Sequence, residues 1–179
     1  FCMIVLVLLL PLLICFSACA QTIDSRRSFV EFSVKNMGLE RVQGSFSRVY
    51  GRVLLDPRHL EEAQIEAVVD ISSLGTGIEM RDKHLHNEDF FDVLHYPVAT
   101  FLCEQVMRKG IGYVAIGVLD IKGHSKVVRI PFLLHNDVEG QLLEGYLLLN
   151  RHDFGLGDAI SPVMVGNEVR VSIKCYVLQ

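Results

Sequence analysis

Arg81–Pro97, RDKHLHNEDFFDVLHYP, packs charges, histidines, an aromatic pair and a Tyr-Pro stop into one short run. On both sides of it the chain alternates apolar and polar residues, the period of a half-buried strand. Val30, Phe32 and Val34 alternate with Glu31, Ser33 and Lys35. Gly51, Val53 and Leu55 share a parity, as do Ile65, Ala67, Val69 and Ile71. Ala99, Phe101 and Cys103 follow the Tyr96-Pro97 break, then Ala115, Gly117, Leu119 and Ile121. Val128, Ile130 and Phe132 come next, followed by Gly145, Leu147 and Leu149, and by Val169, Val171, Ile173 and Cys175. Turn signals separate these runs at Asp56-Pro57, Lys109-Gly110, Lys122-Gly123, Glu139-Gly140 and Gly155. About eight strands at hairpin spacing predict an all-β antiparallel meander. A polar-aromatic block inside that pattern predicts a short helix laid over one end of it.

Two features favour a barrel over a sandwich. Gly51, Gly117 and Gly145 stand at inward-parity positions near strand starts. Glycine there weakens a strand and marks a bend or a close approach, which closure of a small sheet requires. The inward parity is also rich in Val, Leu, Ile and Phe and free of charge. A small barrel of that kind either fills with side chains or encloses one apolar ligand, and pattern alone leaves both open.

The segment before the barrel reads differently. Phe1–Phe16 is almost wholly apolar, and the first charge in the chain is Asp24. It suits a signal-peptide core better than a spanning helix of about 20 apolar residues. Ala18-Cys19-Ala20 fits a signal-peptidase site, with cleavage before Gln21; the basic n-region and an initial Met are missing, so the start is expected to be truncated. The competing expectation is a lipoprotein anchored through Cys19, although Phe16 stands where such a signal wants Leu. Either of these readings exports the chain; a retained membrane anchor is the remaining alternative. Residues 1–20 are thus read as a leader and 21–179 as one domain, long enough to bury a core.

Net charge is −4 and no basic run occurs, which argues against nucleic acid as a partner. Cys103 and Cys175 fall on apolar parity and read as buried free thiols, with a disulfide as the alternative in an oxidising compartment. Thr76-Gly77-Ile78-Glu79 fits a capping box opening a helix of about two turns that ends near Asn87. His84-x-His86 would point apart on a helix and has no third ligand at useful spacing other than His95, so no metal is expected. Asp153-Phe154-Gly155 reads as a turn in which Asp153 caps its own backbone and Gly155 takes positive φ. No nucleophile motif occurs, and no catalytic residue is assigned.

Ordered motifs nearly end to end resemble the YceI-like family, the lipocalin-like, polyisoprenoid-binding proteins of bacteria. They are Ser28–Gly38 (SFVEFSVKNMG), Val42-Gln43-Gly44-Ser45-Phe46, and Thr76-Gly77 with Arg81–Leu85 (RDKHL). Asp89–Val93 (DFFDV) follows, with Tyr96-Pro97 and Thr100-Phe101, then Gly117–Gly123 (GVLDIKG), Asn150–Gly155 (NRHDFG) and Val165–Val169. Ser125-Lys126-Val127 departs from the family's Thr-Lys-Pro and touches only a turn.

The resemblance implies an extended barrel around an apolar tunnel that binds an isoprenoid or similar amphiphile, without enzymatic activity and without a cofactor beyond an isoprenoid or quinone-like lipid. The expected tunnel positions are Val30, Phe32, Val34, Phe46, Phe101, Leu119, Ile121, Phe132 and Leu147. The signature block is expected to form a lid, with Arg81, Asp82, His84, Asp89 and Asp92 in a charged network and Phe90 and Phe91 sealing apolar surface; Arg81 is expected to pair with a neighbouring carboxylate. The role expected is that of a periplasmic lipid carrier or reservoir. The alternatives kept open are an unliganded protein-interaction barrel and a stress-linked enzyme on a quinone-type lipid. Contact with a membrane, peripheral or through a lipid anchor, and a homodimer complete the expected partners.

Overall fold

The computed structural model describes residues 20–37 and 40–178, so the segment read as a leader lies outside the described residues except for Ala20. The strands are β1 (Gln21–Thr22), β2 (Phe29–Asn36), β3 (Glu40–Phe46), β4 (Val49–Leu54), β5 (Gln64–Asp70) and β6 (Leu74–Gly75). After the single α-helix, α1 (Glu79–His86), come β7 (Val98–Lys109), β8 (Gly112–Ile121), β9 (His124–Asp137), β10 (Gly140–Asn150) and β11 (Val165–Leu178). They form one antiparallel sheet in the order β1-β4-β5-β7-β8-β9-β10-β11-β2-β3-β6. The eight strands read from periodicity are present. The three further ones are β1 and β6, of two residues each, and β3, where Gly44 interrupts the apolar parity of Val42 and Phe46.

The sheet curls into a barrel because its two long edges are laced together by short segments. Ile23 N donates to Gly51 O of β4 at 3.1 Å, Ile23 bridges Val177 of β11, and Asp24 N donates to Tyr176 O at 2.8 Å. The N-terminal segment therefore straps β4 to β11. At the other end β6, which follows β5 through a 3-10 turn, pairs with β3. Of the expected glycines, Gly51 and Gly117 stand where a neighbouring backbone approaches too closely for a side chain. A Cβ on Gly117 would lie 2.2 Å from Leu102 O, beside the bulge between Cys103 and Gln105. That bulge shifts the parity of β7, so Val106 returns to the core at 4% exposure. Gly51 has φ 145, and a Cβ there would meet Glu66 O at 1.9 Å.

Antiparallel alternation puts the ends of β2, β5, β8 and β10 and the starts of β7, β9 and β11 at one end of the barrel. Two long connections, 71–97 and 151–164, cross that end. Cys103 and Cys175 are both free and buried, and burial pushes the Cys175 thiol up to about 12.

Candidate functional site: an apolar cavity under a lid

The barrel encloses a cavity of about 490 Å³, within the range of pockets that bury a small ligand. Its wall is built by the inward parity of most strands, so the alternation that defines the strands also makes the wall apolar. All nine positions expected to face a tunnel, Val30, Phe32, Val34, Phe46, Phe101, Leu119, Ile121, Phe132 and Leu147, line this cavity. Val30, Phe32, Leu119 and Ile121 point inward and pack against the core clusters, yet remain only half-buried, because part of each side chain faces the cavity space.

Exposure of the lining residues locates the mouth. At one end Ile23, Val53, Ala115 and Leu143 are 4%, 0%, 3% and 6% exposed. At the other, Asn36, Val42, Ile160 and Val165 are half-buried and Met164 is exposed. The closed end is the one crossed by the N-terminal strap; at the other end Phe90, Arg151, Phe154 and Leu156 are buried by the two long connections, and the mouth lies beside them, where the end of β2 meets the starts of β3 and β11. Asn36, Arg81, His84, Thr100 and Arg151 are the polar or charged side chains among the lining residues. Register sets Asn36 opposite Val165 on β11, and Arg151 directly follows β10, so both belong to that end.

The signature block crosses this end as expected, but its internal chemistry differs. The helix does not open on a capping box. Gly77 has φ 80 and turns the chain, so Ile78 becomes the N-cap and Thr76 lies outside the helix. Asp82 takes the expected place of Glu79: its Oδ1 accepts from the Thr76 backbone N–H at 2.9 Å and from the Thr76 hydroxyl. Glu79 pairs instead with Lys83 on the surface.

Arg81 has no carboxylate partner among the described residues, which corrects the expected ion-pair network. Its Nε donates to Thr76 Oγ1 at 2.8 Å and its Nη2 to Thr76 O at 3.0 Å, so Thr76 stands between it and Asp82. The other guanidinium N–H groups are unengaged among the described residues, and the side chain lines the cavity.

The other signature residues separate into two sets. His84, Phe90 and Phe91 line the cavity; His84 meets Phe90 edge-on at 5.2 Å, and Phe91 meets Phe46 at 5.6 Å. Asp82, Asp89 and Asp92 do not line it. Asp92, at φ 50, contacts His95 Nδ1 at 2.8 Å, and Asp89 contributes its backbone carbonyl, which accepts from Gly157 N at 2.7 Å. Lys122 Nζ adds donations to Glu88 O at 2.7 Å and Gly155 O at 3.1 Å. The lid is thus fixed by main-chain carbonyls and by Phe90, buried at 7% exposure against Phe154 and Leu156, rather than by charge pairing.

Arg151 is the residue whose role sequence reasoning missed. It is 3% exposed, and its guanidinium donates to five backbone carbonyls. Nε reaches Gly166 O at 3.3 Å, Nη1 reaches Leu156 O at 2.8 Å and Gly157 O, and Nη2 reaches Ile160 O at 2.6 Å and Val165 O at 3.3 Å. Every N–H of the side chain is therefore engaged, and one residue fixes the whole loop that completes the mouth. Burial lowers its pKa from the ordinary arginine value, with Asp158 opposing. The available signal was its place in the Asn150–Gly155 motif. The turn there begins at Asn150, whose side chain accepts from His152 N at 3.1 Å, so Asp153 is exposed and does not cap; Gly155 does take positive φ, at 62.

Among the described residues no group of three or more His, Cys, Asp or Glu is placed to hold a metal ion.

The model for the YceI-like domain matches residues 21–177. A UPF0312 protein of Yersinia pestis is 31% identical over 157 residues, covering 84% of this chain and 82% of the relative. The crystal structure of Burkholderia cenocepacia BcnA superposes with a TM-score of 0.80 at 25% identity, over 86% of this chain and 98% of that one. A polyisoprenoid binding domain from Saccharophagus degradans has the same fold, with a TM-score of 0.69 at 18% identity, over 89% of this chain and 98% of that one.

Proposed function

The chain belongs to the YceI-like family, and from that footing we propose that it binds a long isoprenoid or similar amphiphilic lipid as a non-enzymatic carrier or reservoir. The observation that carries this reading is the cavity: closed at one end, walled by Val, Leu, Ile and Phe, and polar only at a few positions. Such a site rewards chain length, since each buried methylene contributes about 0.8 kcal/mol. The Saccharophagus degradans domain, by its description a polyisoprenoid binder, supports the reading through shared fold. Arg81, with unengaged N–H groups on the wall, and Asn36 and His84 are the groups offered to the polar end of the lipid. The readings as a quinone-lipid enzyme or an unliganded interaction barrel draw support from no specific side-chain constellation among the described residues.

Titration of lipid-stripped protein with prenols of increasing length, from geraniol to octaprenol, tests the proposal. Affinity is expected to rise with each added isoprene unit and to level off once the chain fills the cavity. Affinity independent of length would refute it.

We also place the protein outside the cytoplasm. The apolar leader and Ala18-Cys19-Ala20 support that, and β1 begins at Gln21, the residue that cleavage would expose. Intact mass of the protein from its host is expected to correspond to a chain starting at Gln21. A diacylated chain starting at Cys19 would replace this with a membrane-anchored form.

A further inference from the structure

The mouth of the cavity has an apolar outer rim that the lid does not cover. Met37, at the end of β2, and Met164, just before β11, stand side by side: Met37 N donates to Met164 O at 2.9 Å. Met37, Val163 and Met164 are 64%, 75% and 49% exposed. Met164 also lines the cavity, so it belongs both to the inner wall and to the exposed rim.

Beside this rim lies an arrangement that folding alone does not favour. Lys35 and Arg41 are direct cross-strand partners between β2 and β3, and both are exposed. Like charges set opposite each other destabilise a sheet. Neither has an ion-pair partner among the described residues, and Glu40, the acid on the same hairpin, pairs with neither. The two cations stand on a chain whose net charge is −4.

We propose that this rim docks on an anionic lipid bilayer, with Met37, Val163 and Met164 entering the headgroup–acyl boundary and Lys35 and Arg41 over anionic headgroups. Docking sets the mouth against the membrane, so a lipid passes between bilayer and cavity without crossing water. The proposal rests on the lipid-carrier reading. A bilayer fits better than a protein partner for three reasons. Three side chains fall far short of the roughly 800 Å² per partner of a stable protein interface. Methionine is flexible and conforms to a disordered surface. The unpaired cations complement an anionic leaflet.

The test uses the full mature chain with vesicles of phosphatidylcholine alone and vesicles that also contain phosphatidylglycerol. Two double variants are compared with the parent protein: Met37→Ser with Val163→Ser, and Lys35→Gln with Arg41→Gln. None of these residues lines the cavity, and all are exposed, so fold and affinity for a soluble prenol should be unchanged. The parent is expected to pellet with the phosphatidylglycerol vesicles and to lose that binding in high salt. Each double variant should bind them more than about tenfold more weakly and load octaprenol from them correspondingly slowly, to the same final level. Equal binding to both vesicle types, or loading by the variants at the parental rate, would overturn the proposal. So would attachment only to vesicles that contain host membrane proteins. Prenol binding without docking refutes this inference alone; docking without prenol binding refutes the carrier reading and leaves the docking surface standing.

Discussion

Arg151→Ala is expected to lower unfolding free energy by about 3–5 kcal/mol, because each carbonyl left buried without a donor costs about 1–3 kcal/mol and water can reach only some of them. Five carbonyls from Leu156, Gly157, Ile160, Val165 and Gly166 converge on this one guanidinium. The loop they belong to also supports the lid: a Cβ on Gly157 would lie 2.8 Å from Phe90 Cε1, and Gly157 N donates to Asp89 O. Loss of Arg151 therefore loosens both connections that cross this end of the barrel. Arg151→Lys keeps the charge but offers three donors from one point instead of a planar fork, so it should recover only part of the loss. Urea unfolding of the three proteins checks this. A midpoint for Arg151→Ala equivalent to a loss under about 1 kcal/mol would show that the loop holds itself.

Leu119→Asp is expected to abolish lipid binding while leaving the barrel folded. Leu119 sits mid-strand on β8, half-buried and facing the cavity, and it packs between the main core and the Phe90–Phe154 cluster. A carboxylate there meets an apolar ligand with no partner, and desolvating it against a lipid chain costs several kcal/mol. Without ligand the same carboxylate faces open space that water can enter, so the cost to the fold is smaller. Phe32→Asp tests the opposite wall, where the Phe32 ring packs on Gly44 and stands 5.6 Å from Phe46. Circular dichroism checks the fold and prenol titration the binding. A folded Leu119→Asp protein with parental prenol affinity would place the ligand elsewhere.

The barrel was legible because its strands obey one simple period. Each run from Val30 to Cys175 turns every second residue inward, apart from the bulge in β7, and a wall built on that rule is apolar whatever the fine geometry. The features that escaped depend on contacts distant in sequence or on too few residues to show a period. β1 is two residues long, and the residue after it, Ile23, touches both β4 and β11. Arg151 looked like one polar residue in a turn motif; its role depends on a loop returning over it as far as Gly166.

Local rules failed in an instructive way at the lid. Thr76-Gly77-Ile78-Glu79 has the spacing of a capping box, but the positive φ of Gly77 moves the helix start onward and leaves the carboxylate of Asp82 to serve Thr76. The expected partner of Arg81 was read from charge density. Among the described residues it has no acid at all, and its free N–H groups belong to the cavity wall instead.

Native mass spectrometry of the protein purified from its own host measures the occupancy of the cavity directly. A single non-covalent adduct with the mass of a long-chain isoprenoid or related amphiphile is predicted, and Leu119→Asp protein prepared in parallel should lack it. Parental protein that is folded yet carries no adduct, and that takes up no prenol when one is supplied, would contradict the lipid-binding account.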